Sequence, residues 1–426
     1  MINKYLFPQA LLTVSLLYLM SASSASAAPL VSIGDNTDVF FNGSSSLRWS
    51  SNIFRDEDEE ESDLSWTVSP GFEINVGRGV SNADLSIITR YDVISYQDND
   101  QMDTELFHIK AVGSYKTSRL NLKGSVSFDE NKLSSGENNV TNDLVEYDTS
   151  AGNLDAEYRV SPKFSFGAGF RYQDKEYQTF GDRFADREKT SFPLDVFYEL
   201  TPKLDLSLGY TYATTDTEGT SSSSLSGPQE ITQVVLSDYE MESHFFNVGL
   251  RGYILPKLTG FFKIGYRTRN SDDSTIFSTP TDISNPIPVI GATTTSSTNR
   301  KDSGTLGLDA DLTWTATPKL TVRLDLSRDF GVGGEGQSTE NTSADLIGIY
   351  SINNYFSASA NLGYTIRDYT NTGREDDQLN GGLRLSYSLN QHWRFSTGYT
   401  YSENDSNEAN RSYEDHMVDL TAVLRY

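Results

Sequence analysis

The stretch "ELTPKLDLSLGYTY" (199–212) joins one alternating segment to the next through a Thr-Pro-Lys turn. The turn returns as "TPKL" at 317–320, "LPKL" at 255–258 and "SPKF" at 161–164. After it, Leu204, Leu206, Leu208, Tyr210 and Tyr212 share one side of an extended chain, and Asp205, Ser207, Gly209 and Thr211 share the other. A period of two marks a strand with one apolar and one polar face. Proline fixes φ and carries no N–H to give a ladder, so each Pro-Lys unit reads as a tight turn between antiparallel strands.

The same alternation runs through 64–76, 120–128, 164–172, 192–200, 306–314, 320–326 and 379–389. None of these segments has the three- and four-residue spacing a helix needs. Four further short turns are "GRGVSN" (77–82), "KTSR" (116–119), "INNY" (352–355) and "LNQH" (389–392). Between the short turns lie long polar connections at 55–62, 97–104, 131–142, 178–187, 216–238, 270–302, 331–341, 368–377 and 403–413. Short and long alternate strictly. Eight short turns and nine long loops separate about 18 strands, within a range of 16–18. The expected fold is therefore all-β: a transmembrane antiparallel up-and-down β-barrel with short periplasmic turns and long extracellular loops.

Composition agrees. The 426 residues include 59 acidic and 34 basic side chains, a formal charge of -25, no cysteine, 24 Tyr, 22 Phe and 32 Gly. The 36% hydrophobic content is too low for a bundle of membrane helices, and 12% aromatic content is too high for a disordered chain. The acidic balance argues against nucleic acid as a partner, because its phosphates would be repelled. Without cysteine there are no disulfides, so closure and packing must hold the fold.

The N-terminus reads as a secretory signal: Lys4, the apolar run "ALLTVSLLYLM" (10–20), and a small-residue site at Ala25-Ser26-Ala27. The apolar run is short for a membrane anchor, the other reading of this segment. The expected organisation is a signal peptide at 1–27, a short periplasmic segment at 28–38 and a barrel at 39–426.

A soluble β-sandwich is the competing architecture. Against it stand rings at the ends of the apolar faces, namely Phe170, Tyr172, Tyr210, Tyr212, Tyr364, Tyr387, Trp393, Tyr399 and Tyr401. Such rings suit the girdles at two membrane interfaces. The closing segment "HMVDLTAVLRY" (416–426) puts Leu420, Leu424 and the final Tyr426 on one face. An amphipathic last strand with a terminal aromatic is the expected assembly signal for the barrel-assembly machinery. The bacterial outer membrane is then the location, with its lipid and lipopolysaccharide as surroundings.

The search for catalytic chemistry is mostly negative. His108, His244, His392 and His416 form no pair at metal-ligand spacing, and there is no nucleophile elbow or P-loop. No enzyme, metal or cofactor is expected. "GVGGEGQ" (331–337) has no helix after it and reads as a flexible loop. The acidic run "RDEDEEESD" (55–63) could hold divalent cations that bridge to lipopolysaccharide, or be a solvated loop. The polar faces are richer. Alternation puts Arg90, Asp92, Lys123, Asp155, Glu157, Arg159, Arg171, Asp195, Asp205, Arg251, Lys263, Arg267, Asp309, Asp311, Arg323, Asp325, Arg384 and Arg394 on the lumen side. They would line a water-filled conduit or pair across strands and stiffen the wall. The loops 216–238 and 270–302 are long enough to fold inward and constrict it.

"FFNGSSSLRWSSNIF" (40–54), with its S-x-N-[IV]-[FY] ending, and the units "SPKFSFGAGFRYQDKEY" (161–177) and "TPKLDLSLGYTY" (201–212) resemble the β-barrel porin family associated with bacterial exopolysaccharide clusters. The resemblance spans the mature chain. It implies export of polysaccharide through the outer membrane, with periplasmic export components as partners, and carries over no functional residue. Tyr96 and Phe261, on the lumen side by alternation, would then be candidates to stack on sugar rings. A general or solute-specific diffusion porin, and a structural or adhesive barrel with a plugged lumen, remain the alternatives.

Overall fold

The computed structural model describes residues 28–77, 81–134, 143–227, 230–282, 284, 288–298, 302–370 and 372–426. The expected signal peptide at 1–27 lies outside the described residues, as do parts of the turn 77–82 and of the loops 131–142, 216–238, 270–302 and 368–377. The described strands begin with β1 (Val31–Ile33), β2 (Thr37–Ser50), β3 (Asp63–Val76), β4 (Ala83–Tyr96), β5 (Thr104–Lys116) and β6 (Leu120–Ser134). They continue with β7 (Leu144–Arg159), β8 (Phe164–Tyr177), β9 (Arg187–Thr201), β10 (Leu204–Thr217), β11 (Ser221–Gly227) and β12 (Glu230–Leu236). Next come β13 (Tyr239–Leu255), β14 (Leu258–Ser271), β15 (Ser274–Asp282), β16 (Val289–Ile290), β17 (Thr294–Thr298) and β18 (Ser303–Thr317). The last are β19 (Leu320–Val332), β20 (Ser338–Ser351), β21 (Phe356–Tyr369), β22 (Glu375–Ser388), β23 (Trp393–Ser406) and β24 (Tyr413–Arg425).

The 19-stranded sheet consists of the short β1 and a closed barrel of eighteen strands, β2–β10, β13, β14 and β18–β24. Each barrel strand pairs antiparallel with its neighbour in this order, and β24 returns to β2 from Asn42↔Arg425 to Ser50↔Met417. Closure leaves no free edge, which a bilayer without water requires. The seven fully described short turns fall where the sequence places them, and β3 and β4 flank the partly described 77–82. β1 folds back on β2 through Val31↔Val39 and Ile33↔Thr37, so the first barrel strand starts at Thr37.

The two faces sort as the alternation predicts. On β10, Leu206 and Leu208 are 46% and 63% exposed on the outer wall, while Ser207 between them is 2% exposed. The outward apolar band is what lipid would cover. Rings pack in pairs along it, including Phe170 with Phe192 and Phe356 with Tyr387, at centroid distances of 5.5 and 4.8 Å.

The two longest loops carry strands of their own. β11, β12, β15 and β17 pair with one another in the order of β10, β13, β14 and β18 below them. The described parts of both loops therefore form a second sheet of their own. The segments that cross the mouth are shorter ones.

Candidate functional site

The inner wall is a lattice of ion pairs. One row crosses six strands: Asp205↔Arg251, Arg251↔Phe261, Phe261↔Asp311, Asp311↔Asp325 and Asp325↔Asp345. Arg251 Nη2 meets Asp205 at 2.8 Å, and its Nη1 meets Glu157 at 2.9 Å. Glu157 lies on β7, with β8, β9 and β10 between it and Arg251 on β13. Four strand spacings are roughly 19 Å, more than the two side chains span on a flat sheet. The wall must therefore curve sharply here. Inward-facing glycines make room. A Cβ at Gly209 would lie 2.5 Å from the side-chain oxygens of Asn247 and Asp195.

Other predicted residues also pair. Lys263 Nζ meets Asp195 at 2.7 Å, Arg171 meets Asp155 at 2.5 Å, and Arg384 meets Asp419 at 2.8 Å. Arg323 bridges Asp311 at 3.2 Å and Asp325 at 2.8 Å. Arg90 Nε lies 2.9 Å from Asp92, whose other oxygen is 3.3 Å from His108 Nε2; His108 Nδ1 faces Asp129 at 2.9 Å. Asp309 sits opposite Lys263, Lys123 opposite Asp155, and Arg394 opposite Ser388. Arg159 reaches Glu199 at 3.5 Å near the periplasmic rim.

Above this lattice two hairpins leave the wall. The β18–β19 ladder stops at Leu308↔Arg328, yet β14–β18 continues to Arg269↔Ser303 and β19–β20 to Val332↔Ser338. The tip of β19–β20 folds inward over the open ladder. Phe330 shares the outward parity of Leu324 and Leu326, yet it packs at 2% exposure against Tyr239 and Met241 on the inner face of β13. Glu340, also outward by parity, accepts a hydrogen bond from Thr305 Oγ1 on the inner face of β18 at 2.8 Å. Asp329 on this tip meets Arg267 at 2.8 Å and Lys189 of β9 at 3.4 Å. The β5–β6 ladder likewise ends at His108↔Asp129, while β6–β7 runs on to Ser134↔Leu144. There Lys132 lies 4.7 Å from the Tyr96 ring centroid.

The loop 333–337 at the first tip touches three separated segments of the rim. Gly334 O accepts from Ala185 N at 2.9 Å, and Arg187 donates to Val332 O and Gly333 O. Tyr239 Oη donates to Gly336 O at 2.8 Å. Arg411 Nη2 meets Glu335 Oε1 at 3.0 Å. Ala185 precedes β9, Tyr239 opens β13 and Arg411 precedes β24. A loop joined to all three lies across the mouth. Next to it, Ile53, Phe54, Met102 and Leu144 join loops 51–62 and 97–103 to the start of β7 in an apolar cluster.

Several sequence readings change. The run 331–337 is a bonded hub, where it read as a flexible loop. Tyr96 packs against that apolar cluster beneath Lys132, so its ring is not open to the lumen. Phe261 stays in the lumen row. His244 and His416 face outward, where Tyr210 Oη and Tyr399 Oη lie 2.9 and 2.8 Å from their Nδ1 atoms. Leu420 is 58% exposed on the outer face, Leu424 pairs with Gly43, and Tyr426 exchanges backbone bonds with Phe41 at 2.6 and 2.9 Å. In the acidic run, Arg55 lies over the Tyr413 ring and Glu57 accepts from Asn410 N. Glu335, Arg411, Arg187, Tyr239 and Phe330 were not singled out from the sequence.

Residues 77–243 match the family described as "Putative outer membrane beta-barrel porin, MtrB/PioB", and residues 293–426 match "Putative beta-barrel porin 2". Each match covers less than half of the chain. With the closed barrel, they define an outer-membrane β-barrel of porin-like kind. No curated protein matches the chain in sequence. Among solved structures, the ferric yersiniabactin uptake receptor FyuA from Yersinia pestis is 9% identical, with a TM-score of 0.42, covering 91% of this chain and 80% of that one. Acinetobacter baumannii OccAB2 is 10% identical, with a TM-score of 0.37, covering 92% and 98%. The outer membrane protein opdK from Pseudomonas aeruginosa is 10% identical, with a TM-score of 0.36, covering 91% and 99%.

Proposed function

We propose that this barrel is a gated outer-membrane conduit for a polar solute, and that the solute is an exported polysaccharide. The observation that carries the gating is the hub 333–337, held over a charged lumen by bonds to Ala185, Arg187, Tyr239 and Arg411. A solute must displace it, and polar bonds of about 1 kcal/mol each are weak enough to be exchanged for solute contacts. Below the hub, carboxylates and guanidinium groups line the path, with Phe261 among them. Such groups can trade hydrogen bonds with hydroxyls. The polysaccharide assignment draws on the sequence resemblance.

A solute-specific diffusion porin is the second reading. Asp329 on the inward hairpin faces Lys189 and Arg267, a pairing of opposed charges at the narrowed mouth. Single-channel recording in planar bilayers separates the two. An export conduit gives long closed periods and large openings that acidic oligosaccharides block. A diffusion porin gives a steady conductance that small ions fill and oligosaccharides leave unchanged.

A further inference from the structure

The repeated Pro-Lys turn places a lysine that closing a hairpin does not require. Lys163, Lys203, Lys257 and Lys319 occupy four successive periplasmic turns, those of β7–β8, β9–β10, β13–β14 and β18–β19. The turn before them, between β5 and β6, adds Lys116 and Arg119. All six side chains are exposed. In a chain of net charge -25, this rim gathers one sign. Glu199, near the end of β9 beside these turns, is matched to Arg159. The turns 352–355 and 389–392 on the other side of the ring carry no Lys or Arg.

One of the lysines, Lys163, is also placed toward the membrane. Lys163 Nζ lies 5.9 Å from the Tyr198 ring centroid, and Tyr198 packs on the outward-facing Phe164 at 5.2 Å. Lys203 Nζ lies 5.3 Å from the ring of Tyr253, which pairs with Thr259 on the lumen parity of Arg251, so this lysine marks the inner edge of the rim. Lys257 and Lys319 each donate one bond at 2.9 Å to the next turn, at Ala316 O and Ile352 O. An ammonium group has three donors, so two remain on each. Cations just beyond a ring of aromatic side chains sit at headgroup depth.

We propose that these turns form a cationic arc that binds anionic phospholipid headgroups at the periplasmic surface of the membrane. The arc would fix the barrel's depth and gather anionic lipid on one side of it. An acidic periplasmic protein is the competing occupant, and the test below separates it from lipid.

Trp314, 48% exposed on β18 opposite Leu258 and Val322, is a reporter inside the arc. Trp393, 39% exposed at the start of β23, is one outside it. Two single-tryptophan proteins, keeping either Trp314 or Trp393 with the others changed to Phe, are reconstituted in phosphatidylcholine vesicles. Brominated phosphatidylglycerol or brominated phosphatidylcholine is the quencher. The expected result is a phosphatidylglycerol preference on the order of fivefold at Trp314, near parity at Trp393, and loss of the preference in Lys203→Gln/Lys257→Gln/Lys319→Gln or in high salt. Equal quenching by the two lipids at Trp314 overturns the proposal and leaves the arc to a protein partner. So does a preference that survives the lysine changes. Lipid retained by the full-length wild type through purification, measured by mass spectrometry, gives a reading that no variant's folding can disturb. Phosphatidylglycerol enriched over bulk membrane supports the arc, and no enrichment contradicts it.

Discussion

Glu335 and Arg411 meet at 3.0 Å across the mouth of the barrel, one on the β19–β20 tip and the other just before β24. The Arg411 side chain is only 5% exposed, so the bond is shielded from water. Arg411→Gln should loosen the hub without unfolding the wall. Amide exchange at Ala185 and Gly336, both bonded within the hub, should accelerate at least tenfold. Amides of the β22–β23 ladder should not change. Unchanged exchange at the hub would show that the pair does not hold it.

Arg251 sits between two carboxylates, Glu157 and Asp205, with all three side chains between 26% and 30% exposed. Removing the cation leaves two acids facing each other. Discounted for partial solvation, Arg251→Met should cost about 2 kcal/mol. Adding Glu157→Gln and Asp205→Asn to that variant should recover most of the loss. Urea unfolding from vesicles reads both steps.

Two glycines should differ in how much a side chain costs. Gly260 has φ +144 and a Cβ there would lie 1.8 Å from Asp311 O; around Gly381 no atom lies within 4 Å of a Cβ. Gly260→Ala should destabilise by roughly 2 kcal/mol or more, and Gly381→Ala by less than about 0.5. The same unfolding assay measures each.

Tyr426 exchanges backbone bonds with Phe41, and its ring stacks on His392 at 5.1 Å. If it is an assembly signal, Tyr426→Ala should lower outer-membrane yield several-fold in cells, while refolding of the purified chain into detergent proceeds as before. Equal losses in both would assign Tyr426 to stability alone.

The barrel was legible because its information is local. Period-two faces and proline turns are written within ten residues of each other, so Leu204–Thr217 and its neighbours read as strands without any tertiary knowledge. The mouth was not legible in this way. Loop length showed only that 216–238 and 270–302 could reach inward, and their pairing with each other, which satisfies their backbone, depends on residues about forty to fifty positions apart. The hub comes instead from a short glycine-rich tip. One signal could have marked it: Phe330 and Val332 resume an apolar face after Arg328 has interrupted it, so they need protein cover. Likewise Tyr96 faces inward by alternation, and only the folded loops reveal that Ile53, Phe54 and Lys132 cover it.

The gate is tested most directly by deleting residues 333–337 and recording single channels beside the wild type. Gating by the hub predicts a mostly closed wild type, and a deletion variant that stays open at a large, steady conductance. The same conductance and open time in both would contradict it, since the hub would then not obstruct the path.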